Sequence, residues 1–444
     1  MQAAPPRESY QTLFVPKRGR KMNDLNQTPR ASRLHIGIYG RRNSGKSSLI
    51  NALTGQDIAL VSDHAGTTTD PVFKSMELHP IGPVAFIDTA GFDDEGELGE
   101  MRVSRTKEQV KKTDVAIVIF GSGAEKDAGS GFVYDKEAEW VKMLLEDDTP
   151  VIPVINKADI YKDISAMKKA IDEQIKLNTE SDSGRKKAAL ISETVTVSAL
   201  EKKGLEQLRE AISAAVPEDY KRERILGSLV NEGDVALLVM PQDIQAPKGR
   251  LILPQVQTIR ELLDTKCTTV CTVADGAGAA LAALKCAPKL IITDSQCFDL
   301  VDKIRPEESL LTSFSVLFAA YKGDINTLAE GARAIDALNE GSRVLIAEAC
   351  THAPLEEDIG RVKIPRILKK RFGEGLHIDH VSGADFPEDL SGYDLVIHCG
   401  ACMFNRKYMM SRIKEAVNQS VPMTNYGVAL AKLTGILDKV TLPE

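Results

Sequence analysis

No apolar run in this chain reaches the roughly 18 uncharged residues that a membrane-spanning helix needs, and the N-terminus lacks the apolar core of a secretory signal. Both absences predict a cytoplasmic protein with no membrane partner. Basic charge is not in surplus: 56 Lys and Arg against 63 Asp and Glu leave a net charge of −7, the wrong sign for a protein that mainly wraps nucleic acid. No basic RNA-binding module is evident, so nucleic acid is not an expected partner. Cysteine is sparse. The 7 residues are expected to be reduced thiols in the cytoplasm, so they divide into metal ligands and core fillers rather than disulfides. Internal repeats are lacking, and residues 1–32, rich in Pro, Arg and Lys without apolar periodicity, read as a disordered tail in which Met22 offers a second start.

What remains is long enough, at 444 residues, for about three domains at roughly 150 residues each. Short apolar runs at residues 34–39, 84–87, 115–120 and 151–155 alternate with charged helical segments such as 100–112 and 137–145. That alternation predicts a largely parallel sheet with helices on both faces. The fold class is therefore α/β, with a nucleotide-binding domain over 33–217 closed by Pro217 and a charged run. Two smaller α/β units follow, over 226–318 and 319–444.

Gly40-Arg41-Arg42-Asn43-Ser44-Gly45-Lys46-Ser47 follows the first strand and opens a helix, with Ser48 next in line. The glycines let backbone N–H groups curl around phosphates, Lys46 reaches the β and γ oxygens, and the Ser47 hydroxyl suits magnesium. Asp88-Thr89-Ala90-Gly91 ends a later strand, placing Asp88 near the magnesium water and the Gly91 N–H near the γ-phosphate. Asn156-Lys157-Ala158-Asp159 supplies a carboxylate that can accept two hydrogen bonds from guanine. Ser198-Ala199-Leu200 offers a backbone N–H to the guanine carbonyl. Four motifs in this order specify a P-loop GTPase that binds GTP or GDP with magnesium.

These residues resemble the translation-factor class of GTPases, and within it the TrmE-Era branch. The resemblance covers roughly residues 33–217 and implies that Gly66-Thr67-Thr68-Thr69-Asp70 is the first switch, with Thr68 as a magnesium ligand. Thr69 stands where the branch usually has Arg. Phe92 follows Gly91 where Ras-like enzymes place a water-orienting glutamine, so hydrolysis is expected to be slow. Asn43 matches an asparagine that several TrmE-like GTPases use to hold potassium, which adds potassium stimulation to the expectations; the plainer role for Asn43 is to shape the loop.

Cys350-Thr351-His352 and His398-Cys399-Gly400-Ala401-Cys402 each close an apolar run, and Cys350 and Cys399 are 49 positions apart, read as one strand–helix–strand excursion. In a parallel sheet both lie at carboxyl ends of strands, where α/β folds build ligand sites. Soft thiolates with imidazoles suit tetrahedral zinc or an iron–sulfur cluster, and spacing alone does not separate them. Cys267, Cys271, Cys286 and Cys297 read as packing residues.

The two cysteine segments together with Gly249-Arg250-Leu251-Ile252-Leu253-Pro254-Gln255 resemble the HydF family of FeFe-hydrogenase maturation GTPases, over residues 22–444. That resemblance implies a 4Fe-4S cluster on Cys350, Cys399 and Cys402, with His352 and His398 as further candidate ligands. It implies a middle domain that forms a homodimer, and an exposed apolar sheet edge within 226–318 is the expected seam. It also implies a scaffold role, carrying a di-iron precursor to apo FeFe-hydrogenase with radical-SAM maturases as partners. The alternative is a TrmE-Era-type GTPase of tRNA modification or ribosome assembly with structural zinc. An iron–sulfur redox enzyme with a regulatory GTPase ranks last, because no second cofactor motif is present.

Overall fold

The computed structural model describes residues 30–55, 72–89, 91, 103, 106–121, 132–178, 187–218, 220, 224–241, 251–349, 358–383 and 385–443. Thr68 and the rest of the first switch, Phe92, Gly249, Arg250, Cys350 and His352 lie outside the described residues.

The first domain is built on β1 (Leu34–Gly40), β2 (Val72–Leu78), β3 (Gly82–Asp88), β4 (Val115–Phe120), β5 (Val151–Ile155) and β6 (Val195–Thr196). They lie in the order β2-β3-β1-β4-β5-β6, with β2 antiparallel to β3 and the remaining pairs parallel. β1 is sandwiched between β3 and β4 and buried along its whole length, which is why it reads as a short apolar block. Its alternation divides the core. Leu34, Ile36 and Ile38 join Leu49, Ile50 and Ile212 on one face, while Tyr39 joins Trp140, Leu144 and Ile171 on the other.

Two four-stranded parallel sheets follow. The middle sheet orders β7 (Val235–Val239), β8 (Thr268–Thr272), β9 (Leu290–Thr293) and β10 (Leu310–Ser313) as β10-β9-β7-β8. The last orders β11 (Arg343–Glu348), β12 (His377–Ser382), β13 (Leu395–His398) and β14 (Met423–Asn425) as β12-β11-β13-β14. The expected fold class of a GTPase domain followed by two smaller α/β domains is thus what the chain adopts. Residue 318 lies inside the Phe314–Lys322 helix, so the two small units do not part there. They share one apolar core, in which Leu237 and Ile291 of the middle sheet join Ile413 and Val428 of the last unit.

The path from β11 to β13 is longer than one excursion: it passes through the Ile364–Phe372 helix and out to the edge strand β12 before returning to pair with β11. β12 is half-exposed, so His377-Ile378-Asp379-His380-Val381-Ser382 lacks the apolar run that marks a buried strand. No helix among the described residues is long and apolar enough to cross a membrane.

Candidate functional site

The nucleotide motifs gather at the carboxyl edge of the first sheet, because β1, β3, β5 and β6 run parallel and each motif follows a strand end. Gly45 takes φ +93°, a left-handed conformation that glycine adopts without penalty. A Cβ there would stand 2.4 Å from Asn156 Nδ2. That amide ties three motifs together, donating to the Ser44 carbonyl at 3.0 Å while its oxygen accepts the Ala199 N–H at 3.3 Å. Lys157 Nζ donates to the Asn43 carbonyl at 2.7 Å, and Asn43, exposed and at φ +59°, shapes the bend of the loop.

Lys46 Nζ lies in the loop on the carbonyls of Gly40 at 2.8 Å and Arg41 at 2.9 Å. Ser47 Oγ donates to Asp88 Oδ2 at 2.6 Å, so the two groups expected to serve magnesium share one point in space. Hard oxygen donors of this kind suit that cation. Thr89 Oγ1 donates to the Ile38 carbonyl at 2.6 Å and pins the strand end that leads to Gly91. At the base end, Ser198 Oγ donates to Asp159 Oδ1 at 2.5 Å, orienting the carboxylate expected to read guanine.

The thiol centre is built at the end of β13. Cys399 Sγ accepts the Ala349 N–H at 3.0 Å and the Ala401 N–H at 3.5 Å. Such donors favour a thiolate, the form that binds metal. Ala401 takes φ +51° and Cys402 follows it in the same tight turn, its thiol pushed up by burial. The two described thiols, soft donors at one strand end next to Ala349 and hence next in sequence to Cys350, fit a cluster or zinc.

His398 is fully buried and both ring nitrogens are engaged: Nδ1–H donates to the Cys399 carbonyl at 2.9 Å, and Nε2 accepts from Arg412 Nη1 at 2.8 Å. Burial and the adjacent guanidinium push its pKa down to about 3, so it is neutral near pH 7. As placed, this ring orients the turn and offers no free lone pair to a metal. Among the described residues no group of three or more metal-ligating side chains forms.

Three groups escaped the sequence reading. Arg412, 2% exposed, is enclosed by the rings of Phe386, Phe404 and Tyr408 at 4.6, 4.6 and 4.8 Å and also donates to the Gly383 carbonyl at 2.6 Å. Glu348, buried at the end of β11, is paired with Arg361 at 3.0 Å and accepts from Tyr426 at 3.3 Å. Glu137, 1% exposed, is paired with Arg41 of the phosphate loop at 2.7 Å. An isolated Arg or Glu inside a helical pattern, or at the end of a strand as Glu348 is, reads as solvated, and no sequence signal separates these from ordinary surface charges. Cys271 and Cys286 are exposed rather than packed, Cys297 is half-buried, and Cys267 is buried with its thiol on the Asn231 carbonyl at 3.3 Å.

A largely parallel sheet with a phosphate loop after β1, the Ser47–Asp88 contact beside it and the Asp159 carboxylate at the neighbouring strand end defines a P-loop GTPase domain. The sequence matches a 50S ribosome-binding GTPase family over residues 35–157, the hydrogen maturase F dimerization domain over 225–323 and the hydrogen maturase F tetramerization domain over 326–443. The chain belongs to the hydrogen maturase F family, HydF.

It is 32% identical to the GTPase Der of Wolinella succinogenes over 231 residues, covering 51% of this chain and 44% of that protein. It is 33% identical to the tRNA modification GTPase MnmE of Endomicrobium trichonymphae over 169 residues, covering 37% and 35%. The chain thus spans less than half the length of these relatives. Among solved structures, Era of Aquifex aeolicus aligns at 20% identity and a TM-score of 0.32, covering 62% of this chain and 99% of its own.

Proposed function

We propose that this protein is a GTP-hydrolysing scaffold that holds a 4Fe-4S cluster on Cys350, Cys399 and Cys402 and delivers a di-iron precursor to apo FeFe-hydrogenase. The observation that carries the reading is the joining, in one chain, of a nucleotide edge built on Asn156, Ser47 and Asp88 with a turn whose Cys399 sulfur accepts two backbone N–H groups. When bound, the cluster supplies a soft metal centre with one iron open to an exchangeable ligand. The chain's own part is to hold the thiolates, exclude water around Arg412 and His398, and switch with GTP. Iron and sulfide in anaerobically purified protein are the expected result. Zinc alone would replace this reading with the tRNA-modification or ribosome-assembly one.

GTP is bound by the loop amides and Lys46, with magnesium on Ser47 and Thr68 and with Gly91 at the γ-phosphate. Because Phe92 cannot orient water, turnover is slow, and potassium held by Asn43 stimulates it. Equal turnover in potassium and sodium, unchanged in Asn43→Ala, would remove the cation from this scheme.

Two chains pair through the middle domain, whose edge strand β8 exposes Thr268 and Cys271, with Leu263 of the neighbouring helix 58% exposed. Light scattering is expected to give a symmetric dimer or a multiple of it. A proline at Thr269, one place beyond Thr268 whose own N–H is spent on the Asp234 carbonyl at 2.8 Å, removes an N–H from the open side of that edge and is expected to dissociate it. A monomeric parent at micromolar concentration would sink the assignment.

A further inference from the structure

The Asp135–Glu146 helix joins the phosphate loop to the thiol loop. At its start, Glu137 receives a two-pronged contact from Arg41, Nε on Oε1 at 2.7 Å and Nη2 on Oε2 at 3.0 Å. Its 12 residues span about 18 Å, away from the nucleotide edge. At its far end, Lys407 Nζ donates to the Asp147 carbonyl and lies 3.3 Å from the Asp147 carboxylate, while Lys414 donates to Asp148 at 2.9 Å. Both lysines belong to the Arg406–Asn418 helix of the last domain. Asn405, which caps that helix, is fastened to the same side of the GTPase domain through the Lys112 carbonyl at 2.9 Å and Asp114 at 3.2 Å. The Arg406–Asn418 helix in turn carries Arg412, whose guanidinium grips His398 next to Cys399.

The joint between the two domains is bridged by ion pairs and hydrogen bonds and is not closely packed. A cavity of about 540 Å³ opens there, with Asp147, Lys407 and Lys414 on its rim and Tyr220, Met410 and Val417 in its apolar lining. Contacts of this kind can be reset without tearing an apolar core, whereas the helices on either side are rigid. The Lys414–Asp148 pair is half exposed and contributes little by itself. Lys407, 19% exposed and holding both the carbonyl and the carboxylate of Asp147, is the firmer grip.

We propose that this chain of contacts, from Arg41 through the Asp135–Glu146 helix and Lys407 to Arg412, couples the nucleotide state to the conformation of residues 398–402. GTP brings a further phosphate and its negative charge against the loop that carries Arg41, which weakens the hold of that guanidinium on Glu137 and frees the helix to move, and Lys407 passes the movement to the helix that positions His398 and the turn beyond it. By linkage, a ligand on the thiol turn shifts the preference between GTP and GDP by the same factor. The coupling rests on reading residues 398–402 as the cluster loop. Iron content tests that reading, and thiol chemistry on the cluster-free chain tests the coupling.

The experiment is alkylation of the cluster-free full-length protein by iodoacetamide with GDP or a non-hydrolysable GTP analogue bound, read by mass spectrometry. Exchange of nucleotide is expected to change the rates at Cys399 and Cys402 by about five-fold or more. The exposed Cys286 is the internal control and changes by less than about two-fold. In Lys407→Ala/Lys414→Ala, the dependence at Cys399 and Cys402 falls below about two-fold while affinity for both nucleotides stays at the parental value. Retained affinity shows that the variant is folded. Undiminished nucleotide dependence in the variant, or none in a parent that binds both nucleotides, would overturn the proposal.

Discussion

Serine at Cys399 or Cys402 is expected to empty the cluster site and abolish hydrogenase maturation while GTP turnover persists. The substitution swaps a soft thiolate for a hard, weakly acidic hydroxyl, and iron–sulfur clusters are held by thiolates. At Cys399 the loss extends further, because the Ala349 and Ala401 N–H groups are directed at a sulfur. The phosphate loop lies in another domain and keeps its contacts with Asn156 and Lys157. Cys350→Ser is expected to behave in the same way, and Cys286→Ser, at an exposed position away from the turn, is expected to leave iron content intact. His398→Ala should retain iron but lower stability by about 2–4 kcal/mol, because it leaves the buried Arg412 guanidinium short of an acceptor. Iron, sulfide and electron paramagnetic resonance measurements check all of these. A Cys399→Ser/Cys402→Ser protein with parental iron content and spectrum would eliminate the assignment.

Asp159→Asn is expected to lower affinity for GTP and GDP by about 10³-fold or more, with xanthine nucleotides bound better than guanine nucleotides. The Asp159 carboxylate, held by Ser198 Oγ at 2.5 Å, is expected to present two acceptors to the base. Guanine offers N1–H and the 2-amino group to such a pair. An amide in that place turns one acceptor into a donor, which meets the 2-amino group donor to donor and leaves both short of a partner. Xanthine carries an oxygen at that ring position, so the same amide donates to it. Titration with fluorescent guanine and xanthine nucleotides measures the change, and an unchanged guanine preference would remove Asp159 from base recognition.

The nucleotide edge was legible because each motif is local. Gly40–Ser47, Asp88–Gly91, Asn156–Asp159 and Ser198–Ala199 are short segments, each attached to a strand end, and a parallel sheet brings strand ends together whatever the loops between them do. The last domain was legible only in part. β11 and β13 are buried apolar runs and were evident, whereas β12 and β14, half-exposed or only three residues long, carry too little pattern to stand out. The shared core of the two small domains was not visible either, since periodicity identifies an apolar face but not what covers it.

The amino-acid sequence by itself therefore determined the motifs: a P-loop GTPase domain with its four nucleotide segments, three thiols in two short segments, and alternating strands and helices. Those are properties of residue type and near-neighbour spacing. The tertiary structure alone decided that His398 gives both ring nitrogens to the protein, that Glu137 anchors the phosphate loop, and that Lys407 and Arg412 stand between the GTPase domain and the thiol turn. The Arg41–Glu137 and Asp147–Lys407 contacts join residues far apart in the chain, and a buried ion pair or a saturated imidazole exists only once packing has excluded water from both partners.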